Sequence, residues 1–188
     1  MVKFIVRLIA LPFPKHLRQR VRHALVNLIF SIPVRMRAER IGTGLFCLGF
    51  SKVSRQTSIG DDVGLNDLKV EGGGSCRIGN HVRTGREILI LTANHDYKSD
   101  LLPFGTEYIN KDVEIGDCVW IGTKVIILPG TKIGEGCVIQ AGSVVHGVIP
   151  PCSVVGGNPA KVFSMRDAKL YARLKAENRF YLANGKTA

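Results

Sequence analysis

The stretch Val113–Lys161, VEIGDCVWIGTKVIILPGTKIGEGCVIQAGSVVHGVIPPCSVVGGNPAK, decides the architecture. Aliphatic residues recur in it at every sixth position: Ile115, Ile121, Ile127, Ile133, Ile139 and Val145. Glycine follows three of them, at Gly116, Gly122 and Gly134. A period of six matches neither the roughly 3.6 of a helix nor the period of about 2 of a strand. It is the signature of a parallel β-helix, in which each hexapeptide supplies one short strand and one corner. The aliphatic side chain points into a prism and stacks on its copies in the coils above and below. Glycine is expected at the corner because it accepts backbone angles that a Cβ forbids.

The same period reaches back to the middle of the chain. Ile41, Cys47, Val53, Ile59 and Leu65 are in step, and Ile78, Thr84 and Ile90 resume the pattern after a slip of one residue. The slip is assigned to Glu71-Gly72-Gly73-Gly74-Ser75, a flexible corner or bulge. Ile90 to Ile109 is one residue longer than three repeats. Residues 91–108 (LTANHDYKSDLLPFGTEY) therefore either replace a coil or loop out of one, and Pro103 and Gly105 favour a loop. After Ile109 the period is expected to run unbroken to Val145, with Pro150-Pro151 marking an altered last coil. The chain reads as all-β, with a β-helix over residues 41–163 and a loop insertion at 91–108. A basic helical arm at 1–40 precedes it and a C-terminal helix in 164–188 follows.

Residues 1–11 and 15–31 read as two short helices separated by Pro12 and Pro14. In the second, Leu17, Val21, Ala24, Leu25, Leu28 and Ile29 share one face, with Arg18, Arg20 and Arg22 elsewhere. Residues 1–40 hold nine Lys/Arg and one acid, Glu39, which is +8 of the chain's net charge of +11. This arm either caps the open end of the β-helix or attaches, through residues 1–35, to the anionic inner face of the cell membrane. No aromatic platform or recognised motif accompanies the charge, so nucleic acid is not expected as a partner. At the other end, Ser164 as N-cap with Asp167 reaching back forms a capping box. A helix is expected to follow to about Leu182, ended by Asn184-Gly185. Its role is to hide the unpaired strands of the last coil.

With 188 residues, 45% hydrophobic and only 22% charged, the chain is a single folded domain with extensions rather than a disordered one. Five cysteines, an odd count without a C-x-x-C pair, suggest neither a disulfide framework nor a zinc site, and point to a reducing cytoplasm. No apolar run reaches the roughly 18 residues of a spanning helix. Arg7 interrupts the first apolar stretch and Pro12 ends it, a poor match to a signal peptide.

His95 is the candidate for chemistry. It lies in Asn94-His95-Asp96-Tyr97, at the start of the one long break in the repeat. Irregular loops on rigid scaffolds are where function concentrates. An imidazole can take a proton from a hydroxyl near neutral pH. A merely solvated loop histidine is the plain alternative.

Asn94–Tyr97, Val113–Gly122, Ala141–Val145, Ile149–Pro151 and Gly157–Lys161 follow one another over about 70 residues. In that order and spacing the chain resembles the hexapeptide-repeat acyltransferases. The branch is that of the galactoside, maltose and nodulation-factor O-acetyltransferases and the exopolysaccharide acetyltransferases close to them. The arm has no such match. The resemblance implies a left-handed β-helix, a homotrimer, acetyl-CoA bound between neighbouring prisms, and no metal. It implies transfer of an acetyl group to a sugar hydroxyl of a carbohydrate acceptor, in a polysaccharide or a lipid-linked glycan precursor.

By the same resemblance His95 matches the general base, acting as the acceptor oxygen attacks the thioester directly, so no cysteine nucleophile is required. The amide of Thr123, after Trp120-Ile121-Gly122, matches the oxyanion donor. Trp120 and Gly122 match positions beside the pantetheine arm, and Ala141, Gly142 and Ser143 the small residues it hugs. Pro159 and Lys161 match positions near the adenosine end. Asn66 falls near the family's acceptor-binding Asn, and Asn94 and Tyr97 go with the acceptor. Asp96 either orients the His95 ring, as a carboxylate does in many acid–base pairs, or binds the sugar, or meets only water. His146-Gly147 departs from the Thr or Lys pair frequent in the family, so no role passes to His146.

Three other readings stand beside this one. Sugar-nucleotide and amino-acid acetyltransferases share the fold and the donor. A γ-class carbonic anhydrase needs three converging histidines, but His81, His95 and His146 lack that family's His-x-x-x-x-His pair. A non-catalytic hexapeptide assembly module would not need His95, Trp120 and Gly157-Asn158-Pro159 together.

Overall fold

The computed structural model describes residues 15–182. Parallel two- to five-residue strands wind upward through six coils and form three flat faces. The first face stacks Arg40–Ile41, Thr57–Ile59, Cys76–Ile78, Val113–Ile115, Lys132–Ile133 and Val148–Ile149. The second stacks Phe46–Cys47, Gly64–Leu65, Arg83–Thr84, Trp120–Ile121, Val138–Ile139 and Ser153–Gly157. The third stacks Leu68–Glu71, Ile88–Leu91, Ile126–Ile127 and Val144–Val145, with Lys52 bridging Lys69 beneath. Register places like on like. Ile59, Ile78, Ile115, Ile133 and Ile149 form one interior column, and Val70, Ile90, Ile127 and Val145 another. These side chains are buried, and each full burial contributes about 1.5–3 kcal/mol.

The glycines that follow the inward aliphatics are there for closeness, which differs from the expectation. Gly116, Gly122 and Gly134 are absent from the positive-φ residues. A Cβ on Gly134 would lie 2.5 Å from the Pro151 nitrogen, and one on Gly116 2.7 Å from the Glu135 nitrogen. The next coil's backbone lies directly against them. Left-handed backbone instead recurs later in each corner: Gly44, Asp62, His81, Cys118, Gly136 and Cys152 all have positive φ between the first and second faces. A side-chain ladder ties that corner. The Asp61 carboxylate accepts from Thr43 N at 2.6 Å, Asn80 Oδ1 from Asp61 N at 2.7 Å, and Asp117 Oδ1 from Asn80 N at 2.7 Å. The Thr43 N–H and the Thr43 hydroxyl, which donates to the same oxygen at 3.0 Å, hold the Asp61 carboxyl below the usual carboxylate range.

The slip keeps its assigned place at Glu71–Ser75, whereas the break near Ile109 moves. Val70 takes the inward place opposite Ile90, one residue earlier than the spacing from Leu65 requires, and the surplus falls between Val70 and Ile78. Ile109 keeps the six-residue spacing but is 41% exposed. It sits in an antiparallel hairpin, Ala93–His95 with Tyr108–Asn110, and the fourth coil begins at Val113. A three-residue hairpin strand mimics the period without joining the prism. The chain thus loops out over 93–110 rather than 91–108, because Leu91 still pairs with Glu71 on the third face. The coils on either side bond to each other directly, Ile78 opposite Ile115 and Leu89 opposite Ile126. The neck is closed by Lys111 N donating to the Thr92 carbonyl at 2.9 Å.

Helix α1 (Lys15–Arg37) closes the lower end. It passes through Pro33 and outlasts the expected end at residue 31, since a proline removes a single hydrogen bond and the buried Val34 anchors the last turn. The buried face is not the expected one. Asn27, Phe30, Ser31 and Val34 turn inward, and Asn27 Oδ1 accepts the Cys47 N–H at 2.8 Å. That N–H has no coil beneath it, so the helix side carrying an acceptor docks. Val21 and Leu28, on the expected apolar stripe, face solvent. The first expected helix, 1–11, lies outside the described residues.

At the upper end the expected capping box is overturned. Ala160–Met165 is a strand, antiparallel to Ser153–Gly157, so Ser164 is in a ladder opposite Val154. Asp167 is the N-cap of α2 (Ala168–Ala176), accepting from Lys169 N at 2.9 Å and Leu170 N at 3.0 Å. The uppermost second-face strand needs a partner, and the chain supplies one before it turns helical.

Candidate functional site

The hairpin carries His95 out of the stack at the corner between the third and first faces. Its loop is held by Gly105 N donating to the Asp96 carbonyl at 2.8 Å and by Lys98 N donating to Asp96 Oδ1 at 2.9 Å. The His95 ring is clasped between two aromatics. Phe104 stacks on it at 3.8 Å and 21°, and Tyr108, its partner across the hairpin, lies at 4.3 Å and 37°. Two rings fix the plane of the imidazole. Its Nδ1 is buried and meets no hydrogen-bond partner. Asp96, bonded within the loop, does not orient the ring here. An imidazole held in this way suits taking a proton from a group that reaches its other nitrogen, Nε2. Asn94 and Tyr97 are exposed on the same hairpin.

A second group lines the corner between the second and third faces. Trp120 is 57% exposed on its strand. Gly122 lies against the coil above, where a Cβ would come 2.5 Å from the Ala141 nitrogen. Thr123 follows. Its carbonyl accepts from Gly142 N at 2.8 Å and its hydroxyl from Arg86 N at 3.3 Å. Its own N–H donates to no acceptor among the described residues. Ala141 and Gly142 are exposed, and a Cβ on Gly142 would meet nothing within 4 Å. A bare strip of backbone with one free amide can accept a slender polar chain. Ser143 differs: it is fully buried and its hydroxyl donates to the Gln140 carbonyl at 2.6 Å, so only its backbone borders the strip. Asn66 occupies the same corner two coils lower, where its N–H donates to the Thr84 hydroxyl at 3.0 Å. Pro159 and Lys161 lie in and after the turn of the uppermost hairpin, with Lys161 opposite Gly156.

One chain therefore keeps the two groups at different edges of the prism, with the third face between them. Phe104 and Tyr108 were not singled out from the sequence. Only the hairpin register brings them to His95, and an aromatic at each end of a His-containing loop is too faint a signal. The segment after α2 was not anticipated either. The Phe180 ring stacks on His81 at 3.9 Å and 7°, Arg83 donates to the Tyr181 carbonyl, and Asp62 accepts from His81 Nδ1 at 3.0 Å. Together with Trp120 and Tyr171, the residues His81, Arg83, Phe180 and Tyr181 border a cavity of about 290 Å³. Among the described residues no group of three or more His, Cys, Asp or Glu side chains stands where it could hold a metal ion.

The thiols are withdrawn from chemistry. All five cysteines are free and four are buried. Burial pushes Cys47 up to about 11 and Cys76 up to about 12. Both stay protonated in the folded chain, whereas unfolding lets them ionise from about pH 9. This contribution to stability is complete below pH 9 and fades as pH rises above it. A thiol reagent at mildly alkaline pH should label the folded chain at the half-buried Cys118 alone, and all five cysteines in denaturant. Rapid labelling of Cys76 in the native protein would contradict the closed stack.

Residues 112–147 match the family model for bacterial transferase hexapeptide (six repeats). The chain is 46% identical over 85 residues to a galactoside O-acetyltransferase of Lactococcus lactis, covering 45% of this chain and 41% of that protein. It is 36% identical over 111 residues to the putative lipopolysaccharide biosynthesis O-acetyl transferase WbbJ of Escherichia coli, covering 54% and 57%. The matched part spans about two fifths of the length of the first of these curated relatives. Among solved structures, the hexapeptide-repeat acetyltransferase VCA0836 of Vibrio cholerae, complexed with acetyl coenzyme A, superposes with a TM-score of 0.54 at 27% identity. That likeness covers 87% of this chain and 84% of that one.

Proposed function

We propose that this hexapeptide-repeat chain, similar to acetyltransferases in sequence and in fold, is an acetyl-CoA-dependent O-acetyltransferase. Its acceptor is a sugar hydroxyl, in a polysaccharide or a lipid-linked glycan precursor, and it works as a cytoplasmic homotrimer. The observation that carries the reading is the His95 ring clasped by Phe104 and Tyr108. His95 takes the proton of the acceptor hydroxyl as that oxygen attacks the thioester carbonyl. The Thr123 N–H stabilises the oxyanion. The C–S bond then breaks, the CoA thiolate recovers the proton from the imidazolium, and the products are an acetyl ester and free CoA thiol.

The separation of the two groups supports an assembly of copies, here a trimer. A hairpin at one edge of a prism can meet the Thr123–Gly142 strip at the edge of a neighbouring copy. Exposed Tyr97, Leu101, Leu102 and Phe104 give that hairpin an apolar flank for such a contact. Ala141 and Gly142 support a pantetheine arm along the strip, and Lys161 a phosphate beyond it. The test is release of free CoA thiol from acetyl-CoA across a panel of mono- and oligosaccharides, with the mass of the particle measured in the same buffer. Transfer to sugars by a trimer is expected. Transfer only to amines, or full activity in a monomer, overturns the reading.

A further inference from the structure

The geometry points to the outward face of α1 as a docking surface for an anionic lipid bilayer. The helix has two apolar sides. One, through Phe30 and Val34, is spent on closing the first coil. The other runs Val21, Leu28, Ile32 and Met36, which are 38%, 60%, 47% and 80% exposed. Helical spacing places these four and the half-buried Leu25 in one stripe, roughly opposite Asn27, Phe30, Ser31 and Val34. Arg22 and Arg35, both exposed, fall on its two borders. Over its 23 residues α1 carries Lys15, Arg18, Arg20, Arg22, Arg35 and Arg37 and not one acid.

An apolar stripe between cations calls for an occupant that is greasy in the middle and negative at the rim. The interface of an anionic bilayer has both properties. A second copy seated face to face would bring the bordering cations Arg22 and Arg35 against their own kind, and a nucleic acid would meet the cations but leave the stripe wet. No helix among the described residues is long and apolar enough to cross a membrane, so the seat lies in the interface plane. The active hairpin and the seat belong to one rigid stack, which would hold the acetylating site near a lipid surface.

The test uses the full chain, sedimented with vesicles of phosphatidylcholine alone or mixed with phosphatidylglycerol. Partition onto the mixed vesicles, falling with added salt, is expected, and little onto the neutral ones. Arg22→Gln with Arg35→Gln should weaken it about fivefold per cation. Leu28→Glu with Ile32→Glu should weaken it on the order of tenfold or more, while Arg173→Gln on α2 changes nothing. Should the double Glu variant not fold, Met36→Ser and the Arg pair carry the test. Equal binding to both vesicles overturns the assignment, as does wild-type binding by the Glu pair. Preference for a single-stranded oligonucleotide does the same. A changed particle mass in the Glu pair with lipid binding intact would assign the stripe to a second copy instead.

Discussion

Replacing His95 by Ala should lower kcat for acetyl transfer by about a thousandfold, within the range general base catalysis supplies. KM for acetyl-CoA should barely move, because the Thr123–Gly142 strip proposed for the pantetheine arm lies on other coils. The thermal midpoint should also hold, since the ring belongs to a hairpin outside the prism. Phe104→Ala leaves the imidazole in place but removes the wall stacked at 3.8 Å. A ring free to tilt should cost about tenfold in kcat, the direction expected when a positioned group loses its support. Retention of a tenth or more of wild-type kcat by His95→Ala would remove His95 from the chemistry. Measured turnover and a melting curve on the same sample separate lost catalysis from lost fold.

The second large effect belongs to the scaffold. Gly134→Ala should destabilise the chain by about 3 kcal/mol, because the new Cβ would sit 2.5, 2.8 and 2.9 Å from backbone atoms of Pro150 and Pro151. Backbone cannot swing aside as a flexible side chain can, so the coils must part. Gly147→Ala makes the opposite case. Its φ is +73°, but nothing lies within 4 Å of the added carbon, so the cost is only the left-handed strain of about 1 kcal/mol. Urea unfolding of the two variants compares closeness with conformation directly. Equal losses would mean that backbone angle governs both positions, as the repeat alone suggested.

The prism was legible because its period repeats. Ile115, Ile121, Ile127 and Ile133 reinforce one another, so the pattern survives a slip, and their burial confirms it. What repeats only once was harder to see. Ile109 kept the spacing and still left the core, since spacing says nothing of whether a strand pairs parallel or antiparallel. Ser164 had the chemistry of a cap, but an unpaired strand edge at the top of the stack captured it first. The stripe on α1 was real, yet the end of the prism demanded an acceptor for Cys47 and took the side bearing Asn27. His95 could be picked out as an interruption of the period. Its aromatic clasp could not, because Phe104 and Tyr108 reach it only through the hairpin.

The neck at Thr92 and Lys111 leaves the ladder whole on both sides of the insertion. Length and sequence beyond the neck can therefore be exchanged while every rung keeps its partner. Descent can rewrite what the projecting finger recognises without renegotiating the tower that holds it. An engineer could graft another finger there and pay nothing in register.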